Sequence, residues 1–274
     1  MARTRLIVDA HQHFWDPALA DYPWLTGEAE ALRRRFGPDD LAPLLDEHGV
    51  DGTVVVQARA SLDETRALLE LAASTPFVLG VVGWVDLTDD DVARTLAGLD
   101  GALVGVRHQV HDEPDPRWLL RPDVQRGIAA VGEVGLAYDL LVRAADLPAA
   151  AETARRHPDV RFVLDHVAKP PLRSGELGSW ADGVAALAEL PNVTCKLSGL
   201  FTEAEPGAAL APTVVRALRW FGPERCMFGS DWPVCLLATD YGAALELVRS
   251  SAPERDRDAV LAGTAIRTYG LDVG

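Results

Sequence analysis

Eight short runs of apolar and β-branched residues recur along the chain, and segments with a helical pattern separate them. The runs are continuously apolar instead of alternating with polar residues, which favours parallel strands that are covered on both faces. We predict strands over residues 6–10, 53–57, 77–85, 103–106, 136–142, 161–164, 193–197 and 226–228. Eight strand–helix units in 274 residues predict an α/β fold of the (β/α)8 TIM barrel type.

The segments between these runs carry the signals of helix ends. A helix over 38–48 is closed by Gly49, and Ser61 with Glu64 three residues later forms a capping-box pattern ahead of the next helix. Further helices are predicted over 88–99, 122–131, 147–157, 179–190, 212–221, 241–250 and 255–269. A doubly wound open sheet is the alternative, but no Gly-x-Gly-x-x-Gly motif follows the first strand. With no linker or break in composition, we predict a single domain over residues 1–274.

The composition excludes several classes of partner. The formal net charge is −15 and no basic stripe stands out, so nucleic acid and anionic membranes are poor partners. No stretch approaches the roughly 18 consecutive apolar residues that a membrane helix needs. Three cysteines form an odd and unpatterned set, which argues against a disulfide framework and for a reducing compartment. We therefore expect a cytoplasmic protein with a small-molecule substrate, and the sequence leaves its oligomeric state open.

A His-x-His pair, His11 and His13, comes at the end of the first predicted strand. Because side chains alternate along a strand, both imidazoles point to the same side. A lone pair of this kind is also explained by two ordinary strand histidines, but His166 and Asp231 stand at the ends of two later strands. Barrel active sites lie at the carboxyl ends of the strands, so these four side chains are predicted to form one catalytic site.

Four further residues are candidates for binding substrate. Arg107 and Lys196 come at strand ends, where each could contact substrate oxygens or instead form a structural ion pair. Trp15 and Trp232 belong to loops beside the proposed site, and an indole face suits the apolar side of a sugar ring. Trp24, in the same loop as Trp15, is expected only to seal the mouth of the barrel.

Motifs along the whole chain together resemble one known family. They are Asp-Ala-His-Gln-His-Phe-Trp-Asp-Pro at 9–17, Gly-Val-Arg-His at 105–108, Leu-Asp-His-Val-Ala-Lys-Pro at 164–170, Lys-Leu-Ser-Gly at 196–199 and Phe-Gly-Ser-Asp-Trp-Pro-Val at 228–234. The chain resembles the amidohydrolase-2 group of the amidohydrolase superfamily, and the likeness is strongest to its sugar-lactone hydrolases. The resemblance implies a TIM barrel that carries a metal-dependent or metal-derived hydrolase site.

The resemblance also implies a set of metal ligands. By position, His11, His13, His166 and Asp231 carry over as ligands. The two-metal pattern of the superfamily requires a bridging lysine or glutamate and a further histidine from the fourth and fifth strands. Residues 137–140 contain no histidine, and His108 follows Arg107 directly and would face the opposite way. We therefore expect at most one divalent metal, with Zn²⁺ favoured, or a site that works without metal.

The activity implied is hydrolysis of a sugar-derived lactone, such as L-fucono- or L-rhamnono-lactone, to the open-chain sugar acid. Asp231 would act as general base, and the cluster of His11, His13 and His166 would polarise the carbonyl directly or through one metal. The alternative on the same fold is a metal-dependent decarboxylase of an aromatic or unsaturated carboxylic acid. A non-catalytic ligand-binding barrel is a third and weaker interpretation. The roles of Lys169, His108 and His111 stay open.

Overall fold

The computed structural model describes residues 5–274, and its centre is one sheet of eight parallel strands in sequential order. The strands are β1 Val8–Gln12, β2 Gly52–Val56, β3 Val78–Gly83, β4 Leu103–His108, β5 Ala137–Leu140, β6 Arg161–Leu164, β7 Val193–Leu197 and β8 Cys226–Phe228. The last strand returns to the first, where a parallel bridge joins Gln12 to Trp232. The prediction of a (β/α)8 TIM barrel is confirmed.

Nine α-helices are found within residues 5–274. They are α1 Pro38–His48, α2 Leu62–Ser74, α3 Val92–Ala97, α4 Pro122–Glu133, α5 Leu147–Arg156, α6 Gly178–Ala188, α7 Ala211–Phe221, α8 Tyr241–Ser251 and α9 Thr264–Tyr269. None of the helices in this part of the chain is long and apolar enough to cross a membrane.

Two predicted helices are longer than the observed ones. Of the helix predicted over 88–99, only α3 is observed. The Asp86 and Asp89 carboxylates accept hydrogen bonds from the backbone amides of Thr88 and Asp91, and these bonds hold the first part of the segment in turns. The prediction over 255–269 is interrupted by a π-helical turn at Ala259–Gly263. The capping box before α2 is also only half formed. Ser61 accepts the amide of Glu64, but the Glu64 carboxylate turns away to the amides of residues 58 and 59.

Two strands extend beyond their last apolar residue. β1 runs to Gln12 instead of residue 10, and β4 runs to His108 instead of residue 106. Arg107 is paired in register with Asp139 of β5, so the ladder continues through polar residues. The predicted ends of these two strands come too early because the prediction followed apolar residues. The residues that line the inside of the barrel at the carboxyl ends of the strands are polar. The residues expected just after these strands therefore belong to the rigid barrel itself.

The core has two layers. Inside the barrel, apolar residues such as Ala10, Val56 and Met227 pack together with Ala265 and Tyr269 from α9. A larger cluster fills the space between the sheet and the surrounding helices. The apolar interior forms a rigid base beneath the polar residues at the carboxyl ends of the strands.

Candidate active site

A bulge in β1 aims the first-strand histidines. The register of β1 against β2 shifts between Asp9 and Gln12. If side chains alternated strictly along β1, Asp9 and His11 would lie on the same side of the strand. The Asp9 carboxylate instead faces outward, where it accepts a hydrogen bond from the Tyr241 hydroxyl of α8. His11 faces the barrel interior, where its Nδ1 lies 3.1 Å from Lys196 Nζ. A bulge re-aims a side chain in this way, so the inward direction of His11 depends on it.

The four residues predicted to be catalytic come together at the carboxyl ends of the strands. The Nε2 atoms of His11 and His13 are 3.2 Å apart. Asp231 Oδ1 lies 3.4 Å from His13 Nε2, 3.7 Å from His11 Nε2 and 3.8 Å from His166 Nε2. All four side chains are buried. Three imidazole nitrogens and one carboxylate oxygen therefore converge on one point.

This donor set fits a divalent cation. His13 Nδ1 is 2.7 Å from the carbonyl oxygen of Val56, which can only accept, so Nδ1 carries a proton and a neutral His13 ring presents its Nε2 lone pair to the cluster. That lone pair faces His11 and the Asp231 carboxylate. The ligating atoms of His11, His13 and Asp231 lie within 4.8 Å of one another. Nitrogen and carboxylate ligands at these separations suit a tetrahedral zinc site.

Two of the four residues have a left-handed backbone. His166 has φ 54° and Asp231 has φ 58°, and φ stays positive over residues 166–169. Such conformations are uncommon for residues other than glycine and cost on the order of 1–3 kcal/mol each, so the surrounding structure must hold them. His166 Nδ1 lies 2.8 Å from Ser198 Oγ, and the Trp180 indole donates to the carbonyl oxygen within this turn. The strain is concentrated where the predicted catalytic side chains are presented.

Burial and neighbouring charges set the protonation of the cluster. Burial would favour the neutral acid form of Asp231, but His166, His13 and His11 outweigh it and hold the pKa of the carboxyl below its ordinary value. Burial lowers the pKa of His166 from 6.5 to about 4. Burial and the nearby Lys196 ammonium lower the pKa of His11 well below 6.5. At neutral pH the site therefore presents a carboxylate beside neutral His11 and His166 rings.

A buried network of charges lies beneath the cluster. Lys196 Nζ is 2.6 Å from Asp139 Oδ2 and 3.1 Å from Asp165 Oδ1. Arg107 Nη1 donates to Asp165 Oδ2 at 3.0 Å and lies 3.3 Å from His11 Nε2. Removing any one of these four charged side chains would leave the buried network with an uncompensated charge. The network fixes the position of His11.

The sequence leaves two roles open for Lys196, a substrate contact or a structural ion pair. Lys196 is fully buried and does not line the cavity at the mouth of the barrel. Its ammonium group is instead satisfied within the barrel by the two carboxylates and by His11. The structural ion pair is the interpretation that the geometry supports for this residue.

Asp139 and Asp165 were not singled out from the sequence. Asp139 interrupts an otherwise apolar fifth strand, and Asp165 directly precedes His166. A carboxylate in a strand that is covered on both faces is costly unless a cation pairs with it. That rule, applied together with Lys196 in β7, could have indicated both residues.

A cavity of about 190 Å³ opens above the cluster. Its lining residues are His13, Trp24, Ala58, Arg107, Gln109, His111, Asp112, Leu141, His166, Lys169, Asp231 and Val234. His13, His166 and Asp231 contribute polar groups to this lining, while Leu141 and Val234 contribute apolar ones. The cavity has the size and mixed lining of a pocket for a small polar ring.

The aromatic side chain at this cavity is Trp24, and neither Trp15 nor Trp232 lines it. Trp15 is 3% exposed and its indole donates to the carbonyl oxygen of Leu32. Trp232 is 2% exposed and packs edge-on against Phe36. Both tryptophan side chains are therefore buried in the packing of the loop between β1 and α1. The sequence alone could not show this packing. The substrate contact predicted for them is not what their positions support.

The three residues whose roles the sequence leaves open, His108, His111 and Lys169, fall into two groups. His108 packs face to face on Trp118 at 4.2 Å, and its Nε2 lies 2.7 Å from Glu113, away from the cavity. Lys169 and His111 do line the cavity, and Lys169 Nζ is 3.0 Å from Glu203. His108 therefore belongs to the outer packing of the barrel, as its place next to Arg107 predicts.

A sequential eight-stranded barrel with three imidazoles and a carboxylate at its carboxyl face is the architecture of a TIM-barrel enzyme with a candidate metal site. Comparison with protein families narrows this class to one family. The sequence model of the Amidohydrolase family matches residues 8–271. The chain belongs to this family. The predicted resemblance to the amidohydrolase-2 group is thereby confirmed.

Individual relatives align with nearly the whole length of this chain. The L-fucono-1,5-lactonases of Burkholderia ambifaria and Burkholderia multivorans are 43% and 41% identical, and each alignment covers 97% of this chain and 96% of the relative. A crystal structure of an amidohydrolase from Burkholderia multivorans with bound zinc superposes with a TM-score of 0.93 at 40% identity, covering 97% of this chain and all of that one. A 2,6-dihydroxybenzoate decarboxylase from Rhizobium, at 16% identity and a TM-score of 0.70, shares the fold alone.

Proposed function

We propose that this protein hydrolyses a sugar-derived lactone to the open-chain sugar acid, with Asp231 as general base. The observation that carries the proposal is the convergence of Asp231 Oδ1 with the Nε2 atoms of His11, His13 and His166, beside a small cavity lined by Asp231, His13 and His166. The relatives that are 41–43% identical over 97% of the chain are L-fucono-1,5-lactonases, which supports the same reaction.

Asp231 is the group suited to accept a proton from water. Its pKa lies below the ordinary value, so the carboxyl is ionised at neutral pH, and the side chain lines the cavity. As water attacks the lactone carbonyl carbon, the carboxylate accepts a proton, and the new carbon–oxygen bond forms. The ring carbon–oxygen bond then breaks, and the proton held by Asp231 passes to the departing alkoxide. The product is a hydroxy acid, which ionises and acidifies the solution.

Arg107 is placed to stabilise negative charge on the carbonyl oxygen. Arg107 is one of the residues that line the cavity. The two Nη atoms are held by Asp165 and by the carbonyl oxygen of Gln57, so the group is fixed before substrate binds. A preorganised donor of this kind needs no reorganisation as charge develops.

One divalent ion, with zinc favoured, would be held by His11, His13 and Asp231, with His166 adjacent. When bound, a zinc ion would supply Lewis-acid chemistry at this site. The chain's own contribution is orientation. Val56 fixes the His13 tautomer, and burial together with the Lys196 ammonium lowers the pKa of His11 and keeps its ring neutral.

The direct test is acid release from a panel of sugar lactones, measured with a pH indicator on purified protein, with product identification by NMR. Substrates should include L-fucono-1,5-lactone, a rhamnono-lactone and a galactono-lactone. Enzyme-dependent formation of the open-chain acid is the expected result. If no lactone is opened, while an aromatic or unsaturated acid releases CO₂, the proposal is wrong and the decarboxylase alternative replaces it.

A further inference from the structure

Each lysine or arginine in the lining of the active-site cavity has an acidic partner. Within residues 5–274, the cations of this kind that line the cavity are Arg107 and Lys169. Arg107 Nη1 donates to Asp165 Oδ2 at 3.0 Å. Lys169 Nζ donates to Glu203 Oε1 at 3.0 Å, and neither acid belongs to the lining. A carboxylate ligand in the cavity would therefore meet no lysine or arginine whose charge is unpaired among the described residues.

The Lys169–Glu203 ion pair is held between two loops of the barrel. Lys169 follows β6, has φ 46°, and its backbone amide donates to the carbonyl oxygen of His166 at 2.9 Å. Glu203 ends a short 3-10 helix, Phe201–Glu203, that follows β7. The two side chains are 17% and 14% exposed, so salt screens this pair less than a pair on the open surface. The turn that presents His166 to the catalytic cluster therefore also sets the position of Lys169.

Glu203 is ionised and compensates the charge of Lys169. Burial would favour the neutral acid form of Glu203, but the ammonium group of Lys169 and the guanidinium of Arg143 outweigh it and hold the pKa of this carboxyl below its ordinary value. Arg143 Nη1 lies 3.5 Å from Glu203 Oε2, and the Arg143 side chain is half exposed. One carboxylate is thus shared between Lys169, which lines the cavity, and Arg143, which does not.

Two carboxylates also line the cavity, those of Asp112 and Asp231. Asp231 is ionised at neutral pH because its pKa is lowered, and a hydrogen bond with His111 holds the pKa of Asp112 below its ordinary value. Like charges repel each other more strongly in a partly buried cavity than in water. Lactone hydrolysis turns an uncharged ligand into an acid that ionises, so these two carboxylates repel the product and not the substrate.

We infer that the Lys169–Glu203 ion pair makes this cavity selective for an uncharged lactone against carboxylate ligands, including the acid that the reaction forms. The inference rests on the proposed lactone hydrolysis and adds which charge of ligand the site accepts. Glu203 is a positioning residue that acts through the charge of Lys169. An affinity difference of this kind depends on withholding a partner from the wrong ligand.

The test measures inhibition of L-fucono-1,5-lactone opening by L-fuconate and by its uncharged amide, L-fuconamide. Glu203→Gln keeps the shape of the side chain but leaves Lys169 without its anionic partner. In this variant KI for L-fuconate should fall by about fivefold to tenfold, the factor expected for one hydrogen bond to a charged group. KI for L-fuconamide should change by less than about twofold, since the amide carries no charge. Glu205→Gln, an exposed acid two residues away, is the matched control and should alter neither value.

The double variant Lys169→Met with Glu203→Gln removes both charges of the pair. Its KI for L-fuconate should stay within about twofold of the wild-type value, because the net charge beside the cavity is unchanged. Thermal unfolding and zinc content are measured for every variant, so that a loss of fold or metal is not mistaken for a change in side-chain charge.

Three outcomes would overturn the inference. They are an unchanged KI for L-fuconate in folded Glu203→Gln, an equal shift for L-fuconate and L-fuconamide, and a tenfold weaker inhibition by L-fuconate in the double variant. The last result would mean that Lys169 already binds the carboxylate in the wild-type protein. Failure of the wild-type protein to open the lactone would instead contradict the proposed function.

Discussion

The backbone amide of Asp231 donates to the carbonyl oxygen of His11 over 2.8 Å, which ties the proposed general base directly to the end of β1. The amide of His13 donates to the carbonyl oxygen of Trp232 at 2.7 Å in the same bridge. These bonds close the barrel between its last and first strands. The contact that completes the fold therefore also sets the separation between the carboxylate and the two histidines.

Asp9 supports this closure from outside the barrel. Its carboxylate accepts from the Ser230 amide at 2.9 Å, the Ser230 hydroxyl at 2.6 Å and the Tyr241 hydroxyl at 3.1 Å. We predict that Asp9→Asn lowers the free energy of unfolding by about 2–3 kcal/mol, because an amide cannot accept all these donors. Tyr241→Phe removes one of the bonds and should cost about 1 kcal/mol. Urea denaturation measures both, and equal effects of the two variants would refute this ranking.

We predict that Lys196 stabilises the buried charges beneath the site and does not contact substrate. Lys196→Met leaves Asp139 and Asp165 without their shared ammonium group, and breaking a buried ion pair costs about 3–5 kcal/mol. The double variant Lys196→Met with Asp139→Asn should recover part of that loss, because one buried charge is removed. Chemical denaturation of the wild type, the single variant and the double variant provides the comparison. A single variant of wild-type stability would show that the network is not structural.

Much of this arrangement could be predicted from the sequence. The barrel and the four clustered residues follow from strand ends, because side chains at the carboxyl ends of parallel strands share one face. The partners of Lys196 could not be predicted in the same way, since they depend on which strands face each other across the barrel. Trp15 and Trp24 lie in one loop, and only the folded loop shows that Trp24 is the one that lines the cavity.

The pH dependence of catalysis should reflect the buried His166. Burial holds its pKa at about 4, below the ordinary 6.5, so the ring stays neutral as pH falls from 8 to about 5. We expect kcat/KM to decline only as pH falls through about 4. The unfolded chain binds this proton below 6.5, so the stabilising contribution of neutral His166 is complete above 6.5 and decreases between 6.5 and 4. A kinetic midpoint near 6.5 would contradict this assignment.

Metal removal should affect stability as well as rate. If one zinc ion is held by His11, His13 and Asp231, the purified protein should contain about one equivalent, and a chelator should lower both activity and Tm. Zinc should restore both. His13→Ala should bind less zinc and show a smaller chelator-induced change in Tm, while His157→Ala, at the end of α5, is the matched control. Full activity after verified metal removal would show that the lactone carbonyl is polarised without a metal.

The central claim concerns Asp231, and the most direct measurement is the rate of L-fucono-1,5-lactone opening by Asp231→Asn. Loss of a general base is expected to reduce kcat by about 10²–10⁴-fold. Asp182→Asn, an exposed carboxylate on α6, serves as the matched control and should retain wild-type activity. Near-complete loss of lactone opening in folded Asp231→Asn is the predicted result. Wild-type kcat in that variant would contradict the account.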